Sequence, residues 1–315
     1  MVKGLQSLKQ LILTSVAVVA LIGLNGCVAS KKEIHDLEEK TSEIQESLDR
    51  LRKEVEEGFR VVTKPDGIYD YNNSLFANGR LLNQVSNWIV TLETETLFET
   101  SQTLQPVMEN STGLGLIAGR FVITLDHVVT QNTLEMPTPF GRVSLPSKKL
   151  EEKTFLVYQN RKLFLKTVLR DPELDIALFE IPPNDLNLTS IPFPVGDSSE
   201  LSLGTFVYIV GNPFNSGINV REGIVSSLLG MEGLEQMPTK RDDIFMISNG
   251  VVPGDSGAPA LALRDGVPEL VGIVQGTLGS SRIGWAVKIN PIMRKISDHV
   301  DQEALHLVKK GKPLL

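Results

Sequence analysis

The chain has 315 residues, of which 41% are hydrophobic and 22% charged, and its formal net charge is −7 at pH 7. These values are typical of globular proteins and exclude a disordered, collagen-like or polytopic membrane chain. Asp and Glu outnumber Lys and Arg by 38 to 31, which argues against nucleic acid as a partner. One cysteine excludes an intramolecular disulfide, and four histidines leave little for a metal cluster, so we expect no metal and no other cofactor.

The N-terminal segment has the pattern of a secretory signal peptide. An apolar run at 11–24 is shorter than the ~20 residues that a membrane-spanning helix needs. The run ends in the letters LNGC, which resemble the lipobox of bacterial lipoproteins, where the cysteine is lipidated. We therefore predict a lipoprotein signal peptide over 1–26 and lipidation at Cys27; the alternative is a buried free cysteine. Val28 is not the aspartate that commonly retains lipoproteins at the inner membrane, which favours the outer membrane.

A heptad repeat follows the cysteine. Its a and d positions, alternately three and four residues apart, are Ile34, Leu37, Thr41, Ile44, Leu48, Leu51 and Val55. The spacing predicts a helical coiled-coil stalk, which with the lipidated cysteine takes residues 27–60; the alternative is one amphipathic helix lying on the globular domain. Ile44 at a d position permits a trimer, so we expect a homo-oligomer with the trimer favoured. Turn-forming residues without a sustained period predict a linker over 61–82.

Residues 83–300 have the pattern of a β-rich domain. Short β-type runs lie at 88–92, 116–124, 154–158, 163–169, 176–181, 205–210, 223–228, 244–247, 260–263, 270–274 and 284–289. Because no amphipathic helices separate these runs, the pattern predicts an all-β sandwich or barrel. A closing helix is predicted with Asn290 as its N-cap and Pro291 in its first position, and residues 301–315 form a C-terminal tail.

The segment at 253–259 reads PGDSGAP and presents Ser256 in a glycine-rich loop. A serine hydroxyl is a poor nucleophile at neutral pH, so it needs a base within hydrogen-bond reach and donors for the oxyanion. A tight loop with glycines meets both needs, since its backbone amides can point inward. Taken alone, the segment is equally typical of a β-turn, in which Gly, Asp and Ser are common.

A candidate base and a candidate acid lie upstream of this serine. His127 ends the apolar run 120–129, and the end of a strand is a rigid place for a base; the alternative is a hydrogen-bonded core histidine. Asp126 would tend to point away from the histidine, and Asp171 opens an Asp-Pro turn. Asp175 is the better candidate acid, because the apolar strand that follows would bury its carboxylate, which then needs a partner such as an imidazole N–H.

Together these segments resemble the trypsin-like serine peptidases, and within them the HtrA (Deg) branch. The resemblance extends to the letters GLG at 113–115, DPELDIA at 171–177, GNPF at 211–214 and EGIVS at 222–226. It covers residues from about 85 to 291 and follows the family's order of histidine, aspartate and serine. It implies a chymotrypsin-like fold of two six-stranded antiparallel β-barrels.

The same resemblance implies a role for each site residue. His127 is then the general base and acid, Asp175 fixes its tautomer, and Ser256 attacks the scissile carbonyl. The amides of Gly254 and Ser256 form the oxyanion hole, where each donor of this kind contributes about 3 kcal/mol in the transition state.

The residues that the resemblance assigns to the substrate pocket are Gly250, Val251, Gly272, Ile273, Val274 and Gly284. Gly250 stands at the base of the pocket, so no acid is present there to pair with Lys or Arg. Val274 would narrow the pocket, which predicts cleavage after small aliphatic residues such as Ala or Val. The alternative is that these are only core strand residues.

Two features depart from the family pattern. HtrA proteases usually carry PDZ domains after the protease, and the stretch after Pro291 is too short for one. Asp255 stands where HtrA members usually have Asn; digestive trypsins have Asp there, which pairs with the N-terminus made by zymogen cleavage. The sequence offers no partner for Asp255, and we expect no such activation.

These observations predict a serine endopeptidase anchored by Cys27 to the bacterial cell envelope, on the periplasmic side, with the outer membrane favoured. Its substrates would be proteins or peptides of the envelope, cleaved through an acyl-enzyme. The alternative is a catalytically idle member of the fold that acts as a scaffold or binding lipoprotein. A third reading makes the stalk the functional part and the domain a passenger.

Overall fold

The computed structural model describes residues 40, 42, 44–47, 49, 67–69 and 87–310, the last range without 104, 139–140, 187, 213–215, 233–238, 249–250 and 279–282. The chain divides into two compact units, Met1–Lys64 and Pro65–Leu315. The described residues of the first unit are helical and exposed, and Gln45 donates to Asp49 one turn later at 3.4 Å.

Several predictions on the N-terminal part fall on residues outside this description. They are the signal peptide, the lipidation site Cys27 and most of the coiled-coil stalk. Among the residues that are described, no helix combines the length and the apolar character needed to cross a membrane.

The second unit is mostly β-structure. Its strands, in chain order, are β1 (Ile89–Glu99), β2 (Val107–Ala118), β3 (Phe121–Thr124), β4 (Leu134–Thr138), β5 (Gly141–Leu145), β6 (Lys148–Tyr158), β7 (Arg161–Phe164), β8 (Lys166–Asp171), β9 (Ile176–Glu180), β10 (Phe206–Gly211), β11 (Asn219–Ser227), β12 (Ile244–Ile247), β13 (Pro259–Arg264), β14 (Val267–Thr277) and β15 (Gly284–Lys288). The helices are α1 (Asp126–Val129), α2 (Ile289–Ser297) and α3 (Gln302–Lys310).

The first half of the domain is an antiparallel sheet of seven strands in the order β7-β6-β1-β2-β3-β9-β8. The prediction of a closed six-stranded barrel is therefore wrong for this half. The reason lies in the predicted run 163–169, which is divided at Leu165 between β7 and β8. The Leu165 side chain is buried. The strand before it, β7, pairs with β6 at one edge of the sheet, and the strand after it, β8, pairs with β9 at the other edge. The strands β4 and β5 form a separate two-stranded sheet.

The second half of the domain is the predicted closed barrel. Six antiparallel strands pair in the order β10-β11-β12-β15-β14-β13. The central residues of β12, β13 and β14 are almost all buried, as in strands that are covered by side chains of neighbouring elements. One continuous apolar core runs through both halves and includes residues of α2 and α3.

The C-terminal helices differ from the prediction at their start. Asn290 is not the N-cap of α2, because the helix begins at Ile289 and has no side-chain cap. The Asn290 side chain instead joins the helix to the segment before β10. Its Oδ1 accepts from Ser198 N at 3.1 Å, and its Nδ2 donates to Asp197 Oδ1 at 2.6 Å. The residues predicted as a tail contain α3, of which Ala304, Leu305 and Val308 are buried.

Tyr69 lies within the predicted linker yet belongs to the folded domain. Its side chain is 2% exposed, and its backbone forms a β-bridge with Arg264 on β13. The Arg264 guanidinium lies 4.2 Å from the centre of the Tyr69 ring. Tyr69 is therefore packed on the second barrel, although the domain is predicted to start at residue 83.

Candidate active site

His127 lies on the short helix α1, directly after the buried strand β3. Its side chain is 46% exposed, so the imidazole can be reached from solvent. The neighbouring Asp126 is turned away from it, as the sequence predicted. The Asp126 carboxylate forms an ion pair with Arg170 on β8 and accepts from Thr130 Oγ1 at 3.2 Å. The ion pair holds α1 against the first sheet, and the Thr130 bond closes the end of the helix itself.

Asp175 meets the histidine from the turn before β9. Its Oδ2 lies 2.7 Å from His127 Nδ1, and its Oδ1 accepts from the His127 backbone N–H at 2.9 Å. The residue has φ +56°, the left-handed region that Asp tolerates better than most residues, and its side chain is 2% exposed. A buried carboxylate accepts only, so Nδ1 carries the proton and Nε2 is left as the base.

Asp171 shapes the same turn but is not part of the triad. Its Oδ1 accepts from Leu174 N at 3.0 Å, and its Oδ2 lies 2.6 Å from Lys295 Nζ on α2. Burial alone would raise the pKa of Asp171, but the hydrogen bonds from Lys295 and Leu174 outweigh it, and the pKa lies below its ordinary value. The ionised Asp171 thus closes the turn that presents Asp175.

Gln275 on β14 contacts Asp175 at the same carboxylate oxygen, Oδ2, as the histidine. Its Nε2 donates to Asp175 Oδ2 at 2.7 Å and to Thr239 Oγ1 at 2.8 Å, while its Oε1 accepts from Trp285 Nε1 at 2.9 Å. An indole N–H can only donate, so this last bond fixes which end of the amide faces the acid. The sequence prediction missed Gln275; its one signal is a polar residue inside an apolar strand.

Ser256 joins this network through the backbone. Its Oγ donates to the Gln275 carbonyl at 3.3 Å, and the residue is half-buried. The described residues form no hydrogen bond between Ser256 Oγ and His127. The structure therefore brings His127 and Asp175 into direct contact and links Ser256 to them through Gln275. Catalytic hydrogen bonds are often long or poorly aligned in enzymes without substrate and tighten when substrate binds.

The loop that carries Ser256 is held on both sides. Leu114 N on β2 donates to Ser256 O at 3.3 Å, and Gly257 N donates to Val274 O on β14 at 3.0 Å. In the described part of the chain, neither Gly254 N nor Ser256 N donates to a protein acceptor. These are the two amides that the sequence analysis assigned to the oxyanion hole.

The predicted pocket residues are spread over the second barrel. Gly250 lies outside the described residues. Ile273 and Val274 are completely buried in the core, and a Cβ at Gly272 would lie 2.7 Å from the Phe245 ring. The described positions that face each other are Val251 and Gly284, since a Cβ at Gly284 would lie 2.2 Å from Val251 Cγ2. Within the described ranges, no group of three His, Cys, Asp or Glu residues could hold a metal ion.

A model of the trypsin-like peptidase domain matches residues 111–273, which is just over half of the chain and includes the histidine, the aspartate and the serine. The chain belongs to the trypsin-like peptidase family. The periplasmic serine endoprotease DegP of Escherichia coli K12 is 34% identical over 156 residues, which are 48% of this chain and 30% of DegP. The periplasmic pH-dependent serine endoprotease DegQ of the same organism is 30% identical over 198 residues, 60% of this chain and 37% of DegQ.

These relatives confirm the HtrA/Deg branch that the sequence motifs indicated. Among solved structures, the HtrA-type protease AlgW with a tripeptide matches with a TM-score of 0.50 and 20% sequence identity. The match covers 71% of this chain and 64% of the AlgW chain. At that identity the likeness concerns the fold, and it agrees with the closed barrel and the seven-stranded sheet described above. The chain spans about a third of the length of the curated relatives it matches.

Proposed function

We propose that this member of the trypsin-like family is a serine endopeptidase that cleaves protein substrates through a His127, Asp175 and Ser256 triad. The observation that carries the proposal is the pair of bonds between Asp175 and His127, which sets the imidazole tautomer and directs Nε2 as a base. The curated relatives are named serine endoproteases, which supports the same reaction class.

In the proposed reaction, Ser256 Oγ exchanges its bond to the Gln275 carbonyl for one to His127 Nε2 and attacks the scissile carbonyl. The proton passes to Nε2, and the developing oxyanion is met by the amides of Gly254 and Ser256. His127 then protonates the leaving amine, and an acyl group remains on Ser256. Water, deprotonated by His127, hydrolyses this ester and restores the enzyme.

We propose small aliphatic residues at the position before the cleaved bond. Support comes from Val251, whose side chain lies against Gly284 and would limit the depth of the pocket next to the nucleophile loop. Val274, which the sequence analysis expected to narrow the pocket, and Val251 are both buried, and the close approach of Val251 to Gly284 is what favours Val251 for this role.

We also propose that the protein works in the bacterial envelope, attached through a lipid on Cys27 and assembled as a trimer. The relatives DegP and DegQ are named periplasmic, which supports an envelope location. The lipobox-like sequence and the heptad spacing are the support for the anchor and the oligomer, and the Val28 residue favours the outer membrane.

The test is labelling of the purified protein with a fluorophosphonate probe, which reports an activated serine without a known substrate. We expect wild type to be labelled and Ser256→Ala to be unlabelled, and we expect peptides with Ala or Val before the cleaved bond to be hydrolysed faster than those with Phe or Lys. If folded wild type is not labelled, the idle scaffold becomes the better description.

A further inference from the structure

Asp255 is a buried carboxylate beside the nucleophile that the triad does not use. Its side chain has no exposed surface, although it lies in the loop between Gly254 and Ser256. A buried ionised carboxylate is costly unless a cation and hydrogen-bond donors satisfy its oxygens. The partners of Asp255 therefore indicate what this residue does for the loop.

Both carboxylate oxygens of Asp255 are satisfied. Arg221 Nη2 on β11 donates to Oδ1 at 2.5 Å, and Val252 N donates to Oδ2 at 2.8 Å. The Asp255 backbone N–H also donates to Val252 O at 3.1 Å, so the side chain and the backbone close the same turn. This turn contains Gly254 and leads directly into Ser256. The backbone amides of these two residues form the proposed oxyanion hole.

The barrel leaves a specific space for this ion pair. A Cβ at Gly211 would lie 2.2 Å from Asp255 Oδ1 and 3.0 Å from Arg221 Nη2. Gly211 ends β10, and the neighbouring strand β11 carries Arg221 opposite Ile209. The ion pair therefore fixes the nucleophile loop to the paired strands β10 and β11. It also gives Gly211 a physical role, since a larger side chain there would displace the carboxylate.

We propose that Arg221 is a positioning residue for the oxyanion hole, acting through Asp255. The guanidinium neutralises the buried carboxylate and thereby holds the 252–256 turn in the conformation that leaves the Gly254 and Ser256 amides free for substrate. Because the cation comes from a strand inside the domain, the loop is formed without cleavage of the chain. The inference rests on the proposed function for its catalytic meaning, whereas the loop geometry that it predicts can be measured independently.

The test compares Arg221→Gln, Arg221→Lys and the double variant Arg221→Gln/Asp255→Asn in the full chain. The control is Arg241→Gln, which removes an arginine from the helical turn before β12, where its ion pair with Glu232 is exposed. Two quantities are measured for each protein: the rate of fluorophosphonate labelling, and amide hydrogen exchange in peptides that cover 252–257.

We expect Arg221→Gln to label at least tenfold more slowly and to exchange faster at 252–257 than wild type, because it leaves the carboxylate buried without its cation. Arg221→Lys should be intermediate, since it keeps the charge but loses the planar fork. The double variant removes both charges and should regain labelling to within about threefold of wild type. Arg241→Gln should match wild type. Merely structural damage at position 221 would not be reversed by the second substitution.

The inference is overturned if Arg221→Gln labels within twofold of wild type, or if the double variant labels no faster than Arg221→Gln. Should Arg221→Gln fail to fold, the folded double variant decides: labelling near the wild-type rate supports the inference, and absence of labelling overturns it. If wild type itself is not labelled, the proposed function fails, while faster exchange at 252–257 in Arg221→Gln still supports the positioning role and unchanged exchange rejects it.

Discussion

At the scale of single residues, Gln275 connects groups that would otherwise be separate. Its carbonyl accepts from Ser256 Oγ, and its amide donates to Asp175. Two members of the proposed triad stand in recognisable motifs, the serine in GDSG and the aspartate after an Asp-Pro turn, which is why the sequence analysis could single them out. Gln275 was not predictable, because a polar residue in a strand does not reveal which side chains it meets across the barrel.

Replacement of Gln275 by Leu should therefore damage the site more than the fold. The variant removes the amide that holds Asp175 and leaves Trp285 Nε1 without its acceptor, so we expect a loss of about 1–3 kcal/mol in the free energy of unfolding. The fluorophosphonate labelling rate should fall at least tenfold, because Asp175 and Ser256 lose a shared support.

The matched control is Thr239→Val, which keeps the shape but removes the hydroxyl between Gln275 Nε2 and Leu174 O. It should cost about 1 kcal/mol of stability and leave the labelling rate within about threefold of wild type. Equal labelling rates for Gln275→Leu and Thr239→Val would contradict a positioning role for Gln275.

At the scale of elements, the sequence predicted the existence of most strands better than their ends. The run 116–124 proved to be the β2 and β3 hairpin, and Leu165 divides another run into β7 and β8. Hydrophobic periodicity does not show such breaks, because a buried residue at a bend has the same apolar character as a strand residue.

The small sheet of β4 and β5 was missed, since its strands have a mixed polar composition and include Pro137. The predicted cap at Asn290 failed because its side chain bonds to another segment instead.

Contact between the two sheets should depend on Gly257. Its φ is +89°, and a Cβ there would lie 2.2 Å from the Leu114 carbonyl oxygen of β2. Gly266 provides a comparison, because its φ is +77° but a Cβ would meet no atom within 4 Å. Gly266→Ala should cost about 1–2 kcal/mol through backbone strain alone, and Gly257→Ala should cost about 1–3 kcal/mol more through the clash.

The two glycine variants are compared by urea unfolding. A larger loss in the free energy of unfolding for Gly266→Ala than for Gly257→Ala would show that the Leu114 carbonyl of β2 moves aside easily. The first sheet and the barrel would then not be closely packed at this point.

At the scale of the whole molecule, the site is assembled from both halves of the domain. His127 and Asp175 lie on α1 and on a turn next to the seven-stranded sheet, and the half with the closed barrel supplies Ser256 and Gln275. The family motifs allowed the sequence analysis to predict two β-rich halves, of which the second is the predicted closed barrel. Their junction was not predictable, because it consists of contacts between distant segments, such as the bond from Leu114 N to Ser256 O. The packing of Tyr69 could not be predicted for the same reason, since the sequence around it has no strand or helix period.

Tyr69 should therefore contribute to the stability of the globular unit although it lies outside the recognised domain. Its ring is buried under Arg264, its hydroxyl lies 3.0 Å from Glu269 Oε2, and it accepts from Asp197 N at 3.0 Å. We expect Tyr69→Ala in the full chain to lower the free energy of unfolding by about 3–5 kcal/mol, and Tyr69→Phe by about 1 kcal/mol. Urea unfolding followed by tryptophan fluorescence gives both values.

The pH dependence provides an independent check on the same side chain. Burial, and then the nearby negative charge of Glu269, raise the pKa of Tyr69 above its ordinary value. The unfolded chain therefore ionises this phenol first, and wild type should lose stability as the pH rises above about 10. Tyr69→Phe lacks that ionisation, so its stability should decline less over the same pH interval. Two results together would contradict this packing: an equal decline in stability with pH for wild type and Tyr69→Phe, and a loss below 1 kcal/mol in the free energy of unfolding for Tyr69→Ala. They would mean that Tyr69 is not packed on the barrel in solution.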